Sequence, residues 1–326
     1  MTPISRRELL TSAASIAAAT ALLPLLPGCQ SAGLAAAVPL PPPPETYVHQ
    51  LFASLSEAQR AAICFPWGHP LQGAVNNNWL IVQRRVKEVL NPDQCDLVRQ
   101  IFNGLHSEEY AAKVLAQVEQ DNAEEGGLSG CAVALFGEPK TGKFEFVLTG
   151  RHVTRRCDGD SAPGIAFGGP IFYGHAADTF YERPNHPGSA YWFQALRMNA
   201  VLAALDGKQR AKALIAGKHP EEQGTKTVAL DGDRLGIACA DLSKDQKQLV
   251  ETALTDLLAP FRARDTAEAR RYIAAAGGVD SLSMAFWPQE DLGNDGIMDI
   301  WELRGPKMRW YCRGAPHVHM WARIEA

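Results

Sequence analysis

The 326-residue sequence contains no C-x-x-C pair and no C-x-x-C-H segment among its seven cysteines, which excludes paired-thiol redox motifs and covalent haem attachment. It has no G-x-S-x-G elbow, so a nucleophilic hydrolase of that layout finds no support. Positive charge is not in excess either. The net charge is −4 and the two signs are interspersed without a Lys/Arg stripe, which argues against nucleic acid as a partner. Also missing is the run of about 20 strongly apolar residues that a membrane-spanning helix needs: the most apolar stretch, Ala13 to Leu26, is Ala-rich and broken by Pro24 and Pro27.

That stretch does carry a paired arginine in front of it, in Ser5-Arg6-Arg7-Glu8-Leu9-Leu10. A charged segment, a paired arginine and a short apolar run together read as a twin-arginine export signal over residues 1–37. The expected partner during export is the twin-arginine translocase, and the destination is the periplasm. Two processing sites compete. Ala35-Ala36-Ala37 fits simple cleavage, whereas Leu26-Pro27-Gly28-Cys29 resembles a lipobox whose acylated Cys29 would be the chain's one attachment to a membrane. Residues 38–45 are proline-rich and read as an extended spacer, leaving 46–326 as a single large domain, long enough to bury its own core. An oxidising compartment permits one or two disulfides among Cys64, Cys95, Cys131, Cys157, Cys239 and Cys312, with a pairing that spacing does not reveal.

Four segments offer a capping residue followed three positions later by glutamine: Ser56 with Gln59, Asn91 with Gln94, Asp206 with Gln209, and Ser243 with Gln246. Each is the reciprocal pattern of a capping box. The likeness among them reads as local, not as a structural repeat. Helices are expected over 46–63, 75–90, 92–104, 107–121, 190–216, 243–261 and 265–276. Strands are expected over 131–136 and 143–149, joined as a hairpin, and over 281–287, 297–303, 307–313 and 317–324, where Gly305-Pro306 and Gly314-Ala315-Pro316 mark tight turns. The fold class that follows is α+β, helices packed on a mainly antiparallel sheet with a C-terminal meander.

The chemistry-bearing residues are histidines. In His317-Val318-His319 the two imidazoles are a strand repeat apart and project from one face, while Val318, Met320, Ala322 and Ile324 line the other. Two neutral imidazoles at that spacing suit copper, zinc or iron, although surface histidines often share it. His152 continues the parity of Phe144, Phe146, Leu148 and Gly150 and is expected to point inward if Gly150 makes no bulge. His175, after Phe172-Tyr173-Gly174, is a candidate fourth ligand, and His186 is a loop histidine of the same kind. Two other motifs fall short. Gly137 to Lys143 matches G-x-x-x-x-G-K, but Phe144 stands where a phosphate loop needs Ser or Thr. Asp291 to Glu302 has acidic groups at positions one, five, nine and twelve of a calcium loop, yet Gly293 replaces the third ligand and the flanks read as strands, so it is taken as a polar turn. Glu302 is then a candidate carboxylate behind a ligating histidine, or a catalytic base.

Taken in order, Leu148-Thr149-Gly150-Arg151-His152, Ala166 to His175, His186-Pro187-Gly188, Leu205 to Arg210, Asp291 to Gly296 and Trp310 to His319 resemble the bacterial family catalogued as domain of unknown function 3500. The resemblance implies no activity. Its members commonly carry two histidines where this chain has Arg151-His152, an H-x-H matching His317 and His319, and a glutamate where this chain has Arg304. The residues together point to an exported protein in which His152, His317 and His319, with His175 as a fourth, form one transition-metal site, copper favoured, and whose open position suits an oxidoreductase acting on a small molecule. The alternatives are a non-catalytic ligand-binding protein and a metal-assisted hydrolase with Glu302 or an aspartate as base.

Overall fold

The computed structural model describes residues 41–176, 183, 186 and 188–326. The expected export signal, Cys29 and residues 38–40 of the proline-rich spacer therefore lie outside the described residues, as do parts of the loop around His186. Residues 42–326 form one compact unit.

Pro43 is extended and caps the first helix, α1 (Pro44–Ser54), so the spacer ends slightly earlier than its composition suggests. After it come α2 (Glu57–Ile63), β1 (Cys64–Phe65), a single turn α3 (Val86–Val89), α4 (Pro92–Gly104) and α5 (Glu108–Asp121). A meander then runs through β2 (Ala132–Gly137), β3 (Phe144–Gly150), β4 (Val153–Cys157) and β5 (Ile171–His175). The second part of the chain repeats the pattern: α6 (Trp192–Ala203), α7 (Gly207–Ala213), β6 (Ile237–Ala238), α8 (Lys244–Leu258), α9 (Ala263–Ala275), then β7 (Ser283–Trp287), β8 (Ile300–Arg304), β9 (Met308–Arg313) and β10 (Val318–Ile324). All ten strands join in one sheet, ordered β1-β2-β3-β4-β5-β10-β9-β8-β7-β6, with β1–β2 its parallel pair.

That order reads the same in from either edge to the β5–β10 seam, and the capping boxes match across the two halves as well. All four boxes form, and they interlock in pairs. Gln59 Nε2 donates to Gln94 Oε1 at 2.8 Å and to the Val89 carbonyl, while Gln94 returns a bond to the Ser54 carbonyl. Gln209 donates to Gln246 Oε1 at 3.0 Å and to the Asp241 carbonyl, while Gln246 returns one to the Ala204 carbonyl. In each case the carbonyl lies two residues before the partner's capping residue. The capping likeness is thus structural, contrary to the local reading of it. Register extends the match: Phe146 pairs with Cys157 as Trp301 pairs with Cys312, and Gly127 closes on the Asn122 carbonyl as Gly278 closes on that of Ile273, both at 2.9 Å. We read the chain as an internal duplication with about 150 residues per repeat, close to the size of an ordinary domain.

The helices cover one face of the sheet, burying Val133, Leu135, Phe146, Leu148, Trp301, Trp310 and Met320. The other face is covered by long irregular segments that bury Ala134, Phe136 and Val147 beside Ile81, and Trp287, Tyr311 and Trp321 beside Val75 and Val228. A helix over 75–90 is therefore corrected to a loop with one helical turn. Asn76, Asn77 and Asn78 break it: the Asn76 side chain takes the Asn77 amide, and Asn78 is left-handed at φ 43°, as expected of a residue type that competes with the helix for backbone bonds. Helices 46–63 and 190–216 each divide in two at a capping box. The Gly137–Lys143 segment is the β2–β3 turn and leads into a strand, not a helix. All six cysteines in the described residues are free, and no helix there is long and apolar enough to cross a membrane.

Candidate metal centre

His152 is not a strand residue. It and Arg151 form the turn between β3 and β4, where Gly150 pairs with Val153, and His152 takes φ 57°. The turn also breaks the parity argument, because Thr154 pairs with Thr149 and so faces away from Phe146 and Leu148. Burial was the right expectation, but its cause is different. Asn122 at the end of α5 clamps the turn by accepting from the Arg151 amide at 3.0 Å and donating to its carbonyl at 3.1 Å, and Asn78 accepts from the His152 amide. Arg151 is exposed.

His317 precedes β10 and His319 lies within it, opposite Gly174 of β5 and Arg313 of β9. Gly174 is required here for space: a Cβ on it would sit 2.2 Å from the Val318 carbonyl oxygen and 3.1 Å from the His152 ring. Into this gap the three imidazoles converge. His152 Nε2 is 3.1 Å from His319 Nε2, and His317 Nε2 is 2.9 Å from it. The three residues are only 2–3 % exposed, and one nitrogen from each lies within 4.8 Å of the others, an arrangement that could hold a metal ion.

Among the described residues, carboxylates stand behind the rings of His319 and His152. Glu222 faces His319 Nδ1 with both oxygens, at 2.8 and 2.9 Å, and accepts from Trp321 Nε1 at 2.7 Å. Asp121 Oδ2 is 3.1 Å from His152 Nδ1, outside hydrogen-bond geometry, and accepts from Gln117 at 2.7 Å, while its Oδ1 accepts from the Ala176 amide at 3.3 Å. Arg313 NH2 also lies 2.6 Å from His319 Nδ1, and that nitrogen cannot donate to Glu222 and accept from Arg313 together. Glu222 has no proton to give. Burial opposes its ionisation, but His319, Arg313 and Trp321 outweigh that and hold its carboxyl down at about 2. The imidazole proton therefore lies towards Glu222, and the guanidinium is kept close by Glu222 itself, with Nε 3.0 Å from Oε2. Burial above all keeps His319 neutral, down at about 3 despite Glu222.

With Nδ1 of His319 turned to Glu222, its Nε2 presents a lone pair to the point where Nε2 of His152 and of His317 also arrive, at 3.1 and 2.9 Å. Neutral imidazoles gathered in this way can each give a ring-nitrogen lone pair to one cation. The spacing suits an ion: nitrogens bound at ~2.05 Å around a tetrahedral centre stand roughly 3.3 Å apart.

The other sequence-derived candidates lie elsewhere. His175 pairs with Val318, so it faces the helix side of the sheet, opposite to His319, and its ring is 5.9 Å from His186. Glu302 pairs with Tyr311 of β9, two strands from β10, where Arg309 at 2.9 Å and Arg304 at 3.6 Å hold it. Being a strand residue, it closes no calcium loop. Within Asp291–Asp299, the Asp291 carboxylate accepts the Asp295 and Gly296 amides as a polar turn. His106 is buried against the Phe102 carbonyl and Arg155, and burial, then the Arg155 charge, hold it well below its ordinary range.

Sequence reasoning missed Asp121, Glu222 and Arg313. Asp121 and His152 come from the first repeat, and the remaining groups from the second. At the equivalent corner the register puts Lys307 in the place of His152 and Tyr272 in that of Asp121, so the duplicated frame keeps its imidazole cluster at one corner.

The model of the family described as "Protein of unknown function (DUF3500)" matches residues 45–297. That span includes Asp121, His152 and Glu222 and ends before β8. No curated protein matches the chain, and no solved structure does.

Proposed function

The chain belongs to the DUF3500 family of proteins of unknown function, and from the site itself we propose that it is an exported metalloprotein with one transition-metal ion held by His152, His317 and His319. The observation that carries this reading is the buried convergence of one nitrogen from each of three imidazoles, all within 4.8 Å of one another, a spacing at which a single cation can take a lone pair from all three. Copper is the favoured ion, because an all-nitrogen site ranks copper highest among the divalent ions; zinc and iron suit the same ligands. Glu222 on Nδ1 fixes the tautomer of His319 and raises its basicity as a ligand.

Three protein ligands leave a coordination position for a small molecule. Oxidoreductase chemistry is the favoured use of it. The hydrolase alternative needs a free carboxylate as base, but Glu302 is locked between two arginines, and Asp121 and Glu222 are engaged behind the rings. The paired arginines at Arg6 and Arg7 would send the folded, loaded protein to the periplasm through the twin-arginine translocase. Lipid attachment at Cys29 is the alternative to simple release.

The test is spectroscopic. Copper-loaded full-length protein should give an electron paramagnetic resonance spectrum with splitting from several equivalent imidazole nitrogens, and His319→Ala should reduce that splitting. A spectrum of unbound or surface-bound copper, unchanged in the variant, would refute the site.

A further inference from the structure

The face of the sheet on which the imidazoles meet is covered by two irregular straps, residues 72–81 of the first repeat and 219–228 of the second. Each strap is tied to its own half of the sheet. In the first, Trp79 Nε1 donates to Thr154 at 3.0 Å and the Ile81 amide to Thr149 at 2.8 Å, while Arg156 donates to the Gln72 and Ala74 carbonyls. In the second, Tyr311 donates to the Pro220 carbonyl at 2.9 Å, and Glu222 accepts from Trp321 and pairs with Arg313. Each strap also supports one side of the centre: Asn78 accepts from the His152 amide at 3.2 Å, and Glu222 faces Nδ1 of His319. Between the straps the ties are few. Among the described residues three hydrogen bonds join them, two made by one hydroxyl. Thr225 Oγ1 accepts from the Val75 amide at 3.0 Å and donates to the Val75 carbonyl at 3.3 Å, and Asn77 Nδ2 donates to Glu222 at 3.4 Å. Val75 and Thr225 are 150 residues apart, as Ser56 and Asp206 are, so equivalent points of the two repeats meet there.

Ligands only 2–3 % exposed are reached by an ion, or by anything that removes one, only when their cover moves. A cover yields first where its bonds are fewest and most open to water. The β5–β10 pairing behind the centre runs over five register pairs, whereas Thr225, which makes two of the three bonds in front of it, is exposed. Resting on the metal reading above, we infer that the ion is a resident cofactor, enclosed by the two straps and exchanged only when they part at Val75 and Thr225. It is not a cargo that the protein picks up and hands on, because a carrier needs ligands that a second molecule can reach. The ion would also join the same two halves that the Thr225 hydroxyl joins, since His152 belongs to one and His317 and His319 to the other. Loading should therefore hold the straps together, as reciprocal coupling between the two requires. Thr225 touches neither the ligands nor Glu222 by any bond described above, so it acts on exchange through the straps alone.

The experiment uses full-length protein loaded with copper(II), its metal content measured first. Excess ethylenediaminetetraacetate is added and the copper still bound to protein is followed with time. The parent should release its ion over hours. Thr225→Val, which keeps the shape and removes the hydroxyl, should release it at least about fivefold faster, while Thr225→Ser stays near the parent rate. Equilibrium affinity, measured by competition, should stay within about twofold in all three, because the straps close over the empty site as well. Hydrogen–deuterium exchange of the parent with and without copper gives a second readout, with loading expected to slow exchange in 72–81 and 219–228. Should Thr225→Val fail to fold, that comparison decides alone. Parent protein that loses its copper within seconds, release from Thr225→Val at the parent rate, or strap exchange unchanged by loading would overturn the inference. Failure to take up copper would instead refute the metal reading beneath it.

Discussion

His152 Nε2 and His319 Nε2 meet at 3.1 Å across 167 residues of sequence, one carried on a hairpin turn of the first repeat and the other on the last strand of the second. The site therefore exists only when both repeats are folded and joined at β5–β10. Its sensitivity to substitution should follow from that.

Glu222 orients His319 and draws its proton to Nδ1. Glu222→Gln should weaken metal binding by roughly 10- to 100-fold while leaving the limit of one ion per chain. Competition against a chelator of known strength measures this, and parent-like affinity in the variant would mean that the carboxylate does not support the ring.

Gly174 keeps the space in which the cluster sits. In Gly174→Ala the new methyl meets the Val318 carbonyl oxygen at 2.2 Å, so β5 and β10 must separate locally. The expected cost is about 1–3 kcal/mol of stability, read by urea denaturation, with weaker metal binding because His152 and His319 move apart.

Asp299 gives the fold a pH dependence away from the histidines. Burial first, then Asp291 and Asp295, raise its carboxyl to about 7, against the stabilising Leu292 amide. The folded chain thus holds this proton more tightly than the unfolded chain does. Stability from this group falls as pH rises from about 4 to about 7, and the loss is complete above that, on the order of 4 kcal/mol. Asp299→Asn keeps an acceptor for Leu292 and should flatten the curve, making the variant the more stable protein at pH 8. An unchanged slope would contradict the assignment.

Glu302 serves as a control. It pairs with Arg309 and Arg304 inside the sheet, so Glu302→Gln should lower stability, as loss of one member of a buried ion pair does, yet leave metal affinity as it was. A large loss of metal would bring Glu302 back as a group behind the ligands.

Local signals made part of this architecture readable in advance. Helix starts at Ser56, Asn91, Asp206 and Ser243 are written in a four-residue code, and strands β7 to β10 alternate clearly enough to be placed within a few residues. His317 and His319 share a face for the same reason. What was not readable depends on contacts made far along the chain. Glu222 sits in an irregular stretch with no periodicity, and Asp121 looks like any acidic residue near a helix end. A turn at Arg151–His152 reversed the parity that a continuous strand would have kept. The duplication did leave a trace: Leu90-x-x-Asp93-Gln94-x-x-Leu97-Val98 recurs as Leu242-x-x-Asp245-Gln246-x-x-Leu249-Val250, and Leu55 with Gln59-Arg60-Ala61 recurs as Leu205 with Gln209-Arg210-Ala211. Those matches fix helix starts and core positions, which many helices share, so their meaning emerged only when the paired glutamines were seen to bond each other.

The most direct test of the central claim is the metal content of full-length protein purified after export, by elemental analysis, beside His152→Ala and His317→Ala variants that remain folded. The account predicts one transition-metal ion per parent chain and a large loss in both variants, since their residues contribute to a single centre from opposite repeats. Parent protein that carries no ion, takes none up when offered copper, zinc or iron, and unfolds at the same temperature with and without a chelator would contradict it.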